Sequence, residues 1–153
     1  MPIGAVLGTE RAMGFDDVST GSTWSWLPAA CVAALETLRI VRDEPILEHV
    51  RELDAVARRA LAPLQERYAC IGDIRVTGCF IAIEFVKDRV TKERDLDLME
   101  HVALGCLNRG LLVDASTTSM NLQPSLVTPT DLLEQGIAIV DEAIAEALGS
   151  PSA

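Results

Sequence analysis

The apolar residues begin as an unbroken run and only later fall into periodic stripes. Ile3, Ala5, Val6 and Leu7, set around Gly4 and closed by Gly8, show no polar alternation. That is the pattern of a strand covered on both faces and paired along both edges. Placed so early, it is expected to draw its neighbours from a preceding part of a larger protein. Thr9 to Met13 predicts a short helical turn, and Gly14 to Thr23 is a loop rich in Gly, Ser, Thr and Asp. Pro28 then opens a helix through Ala29-Ala30-Cys31-Val32-Ala33-Ala34-Leu35 that is apolar all round, which predicts burial between two layers.

After Pro45 the period becomes helical, with Ile46, Leu47, Val50, Leu53, Val56, Ala57, Ala60 and Leu61 on one face of a helix ending near Tyr68. Ile74 to Gly78 and Cys79 to Val86 predict a bent antiparallel ribbon, with Gly78 at a bulge or close backbone approach. A helix is expected from Leu96 to Asn108, capped by Arg109-Gly110. Leu111 to Asp114 and Met120 to Gln123 read as short strands. A last helix runs to about Leu148, with Thr128 as N-cap, Pro129 at its first position and Asp131 in the first turn. Its buried face is Leu132, Leu133, Ile137, Val140, Ile144 and Leu148. Residues from about 43 to 149 thus predict an α+β unit, helices on one side of a small antiparallel sheet, and residues 150–153 a tail. Residues 1–42 do not make a domain by themselves.

Composition narrows the function. The 153 residues are 49% hydrophobic, enough for one core, and only 4% aromatic, which suits helices on a small sheet. A formal charge of -10 and the lack of any Lys/Arg cluster argue against nucleic acid and anionic membrane surfaces as partners. The stretch Lys87 to Asp95 mixes both signs and reads as a solvated connection. Cys31, Cys70, Cys79 and Cys106 form no CxxC pair, and His49 and His101 are isolated, so no metal site is predicted. With no signal peptide or membrane span in the sequence, a cytoplasmic location is the expectation.

Candidate chemistry is concentrated in two places. Ser19-Thr20-Gly21-Ser22-Thr23 combines glycine with consecutive hydroxyls and can wrap an anion, although a capping loop has the same composition. Asp114, Asn121 and Gln123 stand near strand ends, where a cleft could form. Glu84 interrupts an apolar strand and is expected on the exposed face or paired with a base such as Arg75. The sequence has no Ser/His/acid triad, dinucleotide fingerprint or Walker loop.

The order of segments resembles the C-terminal portion of class III pyridoxal-phosphate-dependent aminotransferases, the ornithine- and 4-aminobutyrate-type group. The resemblance is carried by Pro2-Ile3-Gly4-Ala5-Val6-Leu7-Gly8, by Gly21-Ser22-Thr23-Trp24 followed by Pro28 and its alanine-rich helix, and by Arg75-Val76-Thr77-Gly78. Ile83 to Asp88, Arg109-Gly110-Leu111-Leu112 and the helix opening at Thr128 continue it over nearly the whole chain. It implies the small C-terminal domain of a fold-type I enzyme at 43–149, and at 1–42 the end of the large cofactor-binding domain. By the same resemblance Thr23 reaches the phosphate of pyridoxal 5'-phosphate across a dimer interface, with Gly21 and Ser22 shaping the loop. Trp24, Asn121 and Gln123 are then expected to wall the substrate pocket.

Two departures qualify that expectation. Asn121 stands where the family commonly has a carboxylate-gripping arginine, and an amide cannot form a charged bidentate clamp. Trp24, Trp26 and Leu27 make the surroundings of the phosphate loop bulkier and more apolar. The family's Schiff-base lysine, its pyridine-pairing aspartate and its ring-stacking aromatic would all precede this sequence. Lys87 and Lys92, its only lysines, match none of those places, so no catalytic residue is assigned. The expectation is a piece that transfers amino groups from an amine or amino acid to a keto acid only in a complete assembly, as a homo-oligomer or with an N-terminal portion. The alternative is a catalytically inactive structural or interaction protein built from the small domain.

Overall fold

The computed structural model describes residues 3–14, 26–115 and 118–149. The chain divides into two compact units, residues 1–45 and 46–153. In the first, residues 3–9 are in no strand, and no described strand pairs with them. Helix α1 is the single turn Glu10–Met13, and α2 runs Pro28–Asp43 with proline in its first turn. Ala30 is the one buried residue of α2, while Val32, Leu35 and Leu38 are exposed, so the two-sided cover expected for this helix is not supplied within the unit.

The second unit opens with α3, Ile46–Arg67, whose buried face is Ile46, Leu53, Val56, Ala57, Leu61 and Leu64. Leu47, expected on that face, is exposed. Strands β1 (Ile71–Thr77) and β2 (Phe80–Asp88) form an antiparallel hairpin in which Thr77 pairs with Phe80. Gly78 therefore belongs to a two-residue turn rather than a bulge. Its φ of 57° is left-handed and that of Cys79 is not, the pattern of a type II′ turn, which favours glycine in the first position. The bulge falls instead between Ile71 and Asp73, at Gly72, where a Cβ would lie 2.6 Å from Val86 Cγ1.

The charged connection folds back as a two-residue strand β3, Glu93–Arg94, against the end of β2. It is turned by Asp88, whose Oδ1 accepts from the Val90 and Thr91 amides at 2.9 and 2.7 Å. Helix α4, Leu96–Asn108, is capped by Asp95 accepting from the Leu98 amide at 3.0 Å. It ends in a Schellman turn: Gly110, at φ 83°, donates to Leu107 and Leu111 donates to Cys106, both at 2.9 Å. Of the strand expected at 111–114 only a bridge survives, Asp114 with Asn121. Strand β4, Met120–Leu122, pairs antiparallel with β2 on the side opposite β1.

Helix α5 spans Thr130–Ala147, starting later than expected. Its first hydrogen bond runs from the Leu133 amide to the Pro129 carbonyl, so Pro129 rather than Thr128 is the N-cap residue. Leu133, Ile137, Val140 and Ile144 are buried, whereas Leu132 and Leu148 are exposed. Helix α5 packs against both α3 and α4, and α3 and α4 also pack against the sheet. Phe85, Leu53, Ile83, Val102, Met120 and Val140 lie in one continuous core. Among the described residues, no buried side-chain polar atom lacks a hydrogen-bond partner. No described helix is long and apolar enough to cross a membrane.

Candidate functional site

The polar end of β4 is built by short-range pairing. Asn121 and Asp114 exchange both backbone hydrogen bonds, at 2.7 and 3.0 Å. The Asn121 side chain is engaged at both ends by the buried Ser119: Oδ1 accepts from the Ser119 hydroxyl at 3.1 Å, and Nδ2 donates to the Ser119 carbonyl at 3.2 Å. This amide closes its own loop. Gln123, one residue past β4, is exposed and lines a cleft of about 370 Å³. Opposite it stand Leu111 from the Schellman turn and Leu133, Gln135 and Gly136 from α5.

A residue that sequence reasoning passed over holds one lip of this cleft. His49 Nε2 lies 2.8 Å from the carbonyl oxygen of Thr128, itself a lining residue, and His49 Nδ1 lies 3.4 Å from Glu52. Since the partner is an acceptor, Nε2 carries the proton. The 79-residue separation of this pair left no local signal in the sequence.

A second hollow, of about 310 Å³, is lined by Leu47, Val50, Arg51, Asp54 and Gly78. Its carboxylate is already committed. Asp54 Oδ2 accepts from Arg58 Nε at 2.6 Å and Oδ1 from the Gly78 amide at 2.8 Å, so the guanidinium and then the amide hold Asp54 below its ordinary pKa. Arg58 also donates to the Val76 carbonyl, which fastens the hairpin to α3. Glu84 meets Arg75 at 2.8 Å, the pairing anticipated from the sequence. Asp141 accepts from Tyr68 at 2.6 Å and from Arg67 at 2.8 Å, tying α3 to α5. Each of these acidic groups is structural.

Cys70, Cys79 and Cys106 offer no nucleophile here. All four cysteines are free; Cys79 and Cys106 are buried, Cys31 and Cys70 half-buried. Burial pushes the Cys106 thiol up to about 11 and raises those of Cys70 and Cys79, which keeps them protonated near neutrality. No group of three or more metal-ligating side chains is found among the described residues.

Gly21, Ser22, Thr23 and Trp24 lie outside the described residues. Asn121 and Gln123, two residues apart, are placed at the same end of the sheet, Gln123 on the cleft and Asn121 on Ser119. Lys87 and Lys92 are both exposed beside the β2–β3 turn, Lys87 paired with Glu93 at 2.7 Å, and neither lines the cleft or the hollow.

Comparison with known proteins places the chain in a family. Residues 1–144 match the family model for class-III aminotransferases. The chain is 34% identical over 148 residues to an (R)-1-hydroxy-2-aminoethylphosphonate ammonia-lyase of Vibrio splendidus, covering 95% of this chain and 31% of that protein. It is 30% identical to a leucine/methionine racemase of Thermococcus litoralis, over 95% of this chain and 33% of the relative. The fold superimposes on a PMP-bound aminotransferase from Vibrio fluvialis with a TM-score of 0.77 and 25% identity, over 94% of this chain and 32% of that one. An amine transaminase from an uncultivated Pseudomonas species, in its PLP-bound form, gives a TM-score of 0.77 at 29% identity, over 91% and 31%. The chain thus spans about a third of the length of the curated relatives it matches. Its antiparallel sheet flanked by helices has the small-domain architecture of fold-type I pyridoxal-phosphate aminotransferases. The chain belongs to the class-III aminotransferase family.

Proposed function

We propose that this chain is the C-terminal portion of a cytoplasmic class-III transaminase, with residues 1–42 completing the large cofactor-binding domain and 43–149 forming the small domain. Gly21, Ser22 and Thr23 bind the phosphate of pyridoxal 5'-phosphate in the complete dimer, and Trp24, Asn121 and Gln123 wall the substrate pocket. The Schiff-base lysine is contributed by an N-terminal portion, and without it the chain does not transfer an amino group to a keto acid. The carrying observation is the position of the two lysines: Lys87 near the end of β2 and Lys92 on the turn after it are both exposed, and neither lines either concavity. The coverage of about a third of each relative supports the same reading. Asn121, neutral and held by Ser119, supports a pocket that does not grip a substrate carboxylate at that place.

The test is reconstitution. The chain alone is expected to give no lasting visible cofactor absorbance and no turnover, while mixing with a lysine-bearing N-terminal portion produces both. Because relatives are named as lyase, racemase and aminotransferase, products of all three reactions are measured. In the assembly, Thr23→Ala is expected to weaken cofactor retention about tenfold or more, the loss of one hydrogen bond to a charged group. Turnover by the chain alone, or an assembly that never holds cofactor, overturns the proposal. The exposed Val32, Leu35 and Leu38 also favour a second reading, an inactive interaction protein that assembles through α2. A stable complex that lacks turnover distinguishes it.

A further inference from the structure

Two glycines lie inside helices of the second unit, and the chain's own packing explains only one. A Cβ on Gly105 of α4 would stand 3.1 Å from Ala143 Cβ and 3.5 Å from its Cα, so glycine there lets α4 and α5 approach closely. A Cβ on Gly136 of α5 would meet nothing nearer than Leu111 Cδ1 at 3.6 Å, an ordinary contact distance, and Gly136 has no left-handed φ. Glycine is the weakest helix residue after proline, yet neither space nor backbone conformation requires it here. The volume it leaves unfilled opens into the cleft of about 370 Å³.

That cleft is a built concavity. Leu122 and Leu133 are buried and give it an apolar floor, Leu111 forms a wall, and the amides of Gln123 and Gln135 are the polar groups used for orientation. No charged side chain is among its lining residues. One lip is held by His49 through Thr128, another by the Schellman turn at Gly110. Its size and lining match those of small-molecule sites, mostly apolar with a few directed polar groups. A charged ligand would surrender hydration there without a counter-ion.

We infer that this cleft binds a small uncharged molecule with an alkyl body and one amide or hydroxyl end, and that Gly136 keeps the site open. The cleft shares Gln123 with the substrate-pocket wall proposed above, but its test needs neither cofactor nor turnover, so its failure is distinguishable from failure of the assembly.

The test is an NMR titration of the full chain with hexanamide, hexanoate and hexylamine. Hexanamide is expected to move the resonances of Leu111, Gln135 and Gly136, and the two charged probes to bind at least about tenfold more weakly. Gly136→Leu fills the cleft and abolishes binding. Gly136→Ala weakens it several-fold without lowering the thermal midpoint, which keeps the readout if the leucine variant fails to fold. Equal affinity for all three probes overturns the inference, as does hexanamide binding elsewhere or nowhere. Unchanged affinity in Gly136→Ala also overturns it. So does an assembled protein in which an N-terminal portion covers these residues and excludes hexanamide, because the occupant is then polypeptide.

Discussion

The two units of this chain treat the same residue types in opposite ways. In the second, Leu53, Leu61, Ile83 and Ile144 are at most 1% exposed; in the first, Val6, Leu7, Val32, Leu35 and Leu38 are 66–94% exposed. The second unit closes its own core and meets its own hydrogen bonds. The first carries apolar surface that its own unit leaves uncovered. The difference teaches where stability resides: a leucine has energetic weight only where something packs on it.

The largest test of that contrast pairs Phe85→Ala with Leu35→Ala in urea denaturation of the chain. Phe85 is 2% exposed, and its truncation is expected to cost about 3–5 kcal/mol. Leu35 is 68% exposed, and its truncation less than about 0.5 kcal/mol. Equal losses would erase the distinction. In an assembly with an N-terminal portion the Leu35 cost is expected to rise to about 2 kcal/mol, since the side chain is then covered.

Next in size is Arg89→Ala, which probes how the second unit finishes α3. Arg89 donates to the Ile71 and Tyr68 carbonyls at 2.9 and 2.8 Å and also to Gln65, so one side chain satisfies the end of the helix and the start of β1. Its loss is expected to cost about 1–3 kcal/mol and to speed amide exchange at Tyr68 and Ile71. Asp54→Asn follows at about 1 kcal/mol. The folded-state pKa of Asp54 lies below its ordinary 3.8, so its contribution is fully present above that value and drains away as pH falls through the folded value. The asparagine variant should lose that part of the acid dependence; an unchanged acid limb would show that Asp54 does not fasten the hairpin. Smallest is Gly136→Ala, expected to stabilise by about 0.5–1 kcal/mol, readable as a raised thermal midpoint.

What was legible in the sequence follows the same divide. The second unit's helices carried their own period, and α3, α4 and the ribbon of β1 and β2 lie where the apolar spacing put them. The Arg75–Glu84 pair was legible because a carboxylate inside an apolar strand needs a base within reach. His49, Arg89 and Asp54 were not, since each acts through a partner 18 or more residues away, mostly a backbone group without side-chain identity. The run at Ile3 to Leu7 misled because a two-faced apolar pattern specifies a need for neighbours, and no ladder partner is present among the described residues. Leu132 misled because the helical stripe widens at the cleft, where an apolar residue faces open space. Of the proposed site, Asn121 and Gln123 can be placed, while Gly21, Ser22, Thr23 and Trp24 lie outside the described residues.

The arginines at the hairpin have a further effect. Strand β1 borders the sheet and, among the described residues, pairs with β2 alone. An open border of this kind is where foreign strands add and fibrils grow. Arg58 takes the carbonyl of Val76 and Arg89 that of Ile71, so both ends of the border carry a bulky cation where a recruiting strand would seek an acceptor. The clasps that fasten the sheet to α3 thereby also discourage aggregation, a safeguard of particular value to a polypeptide that exposes the apolar face of α2.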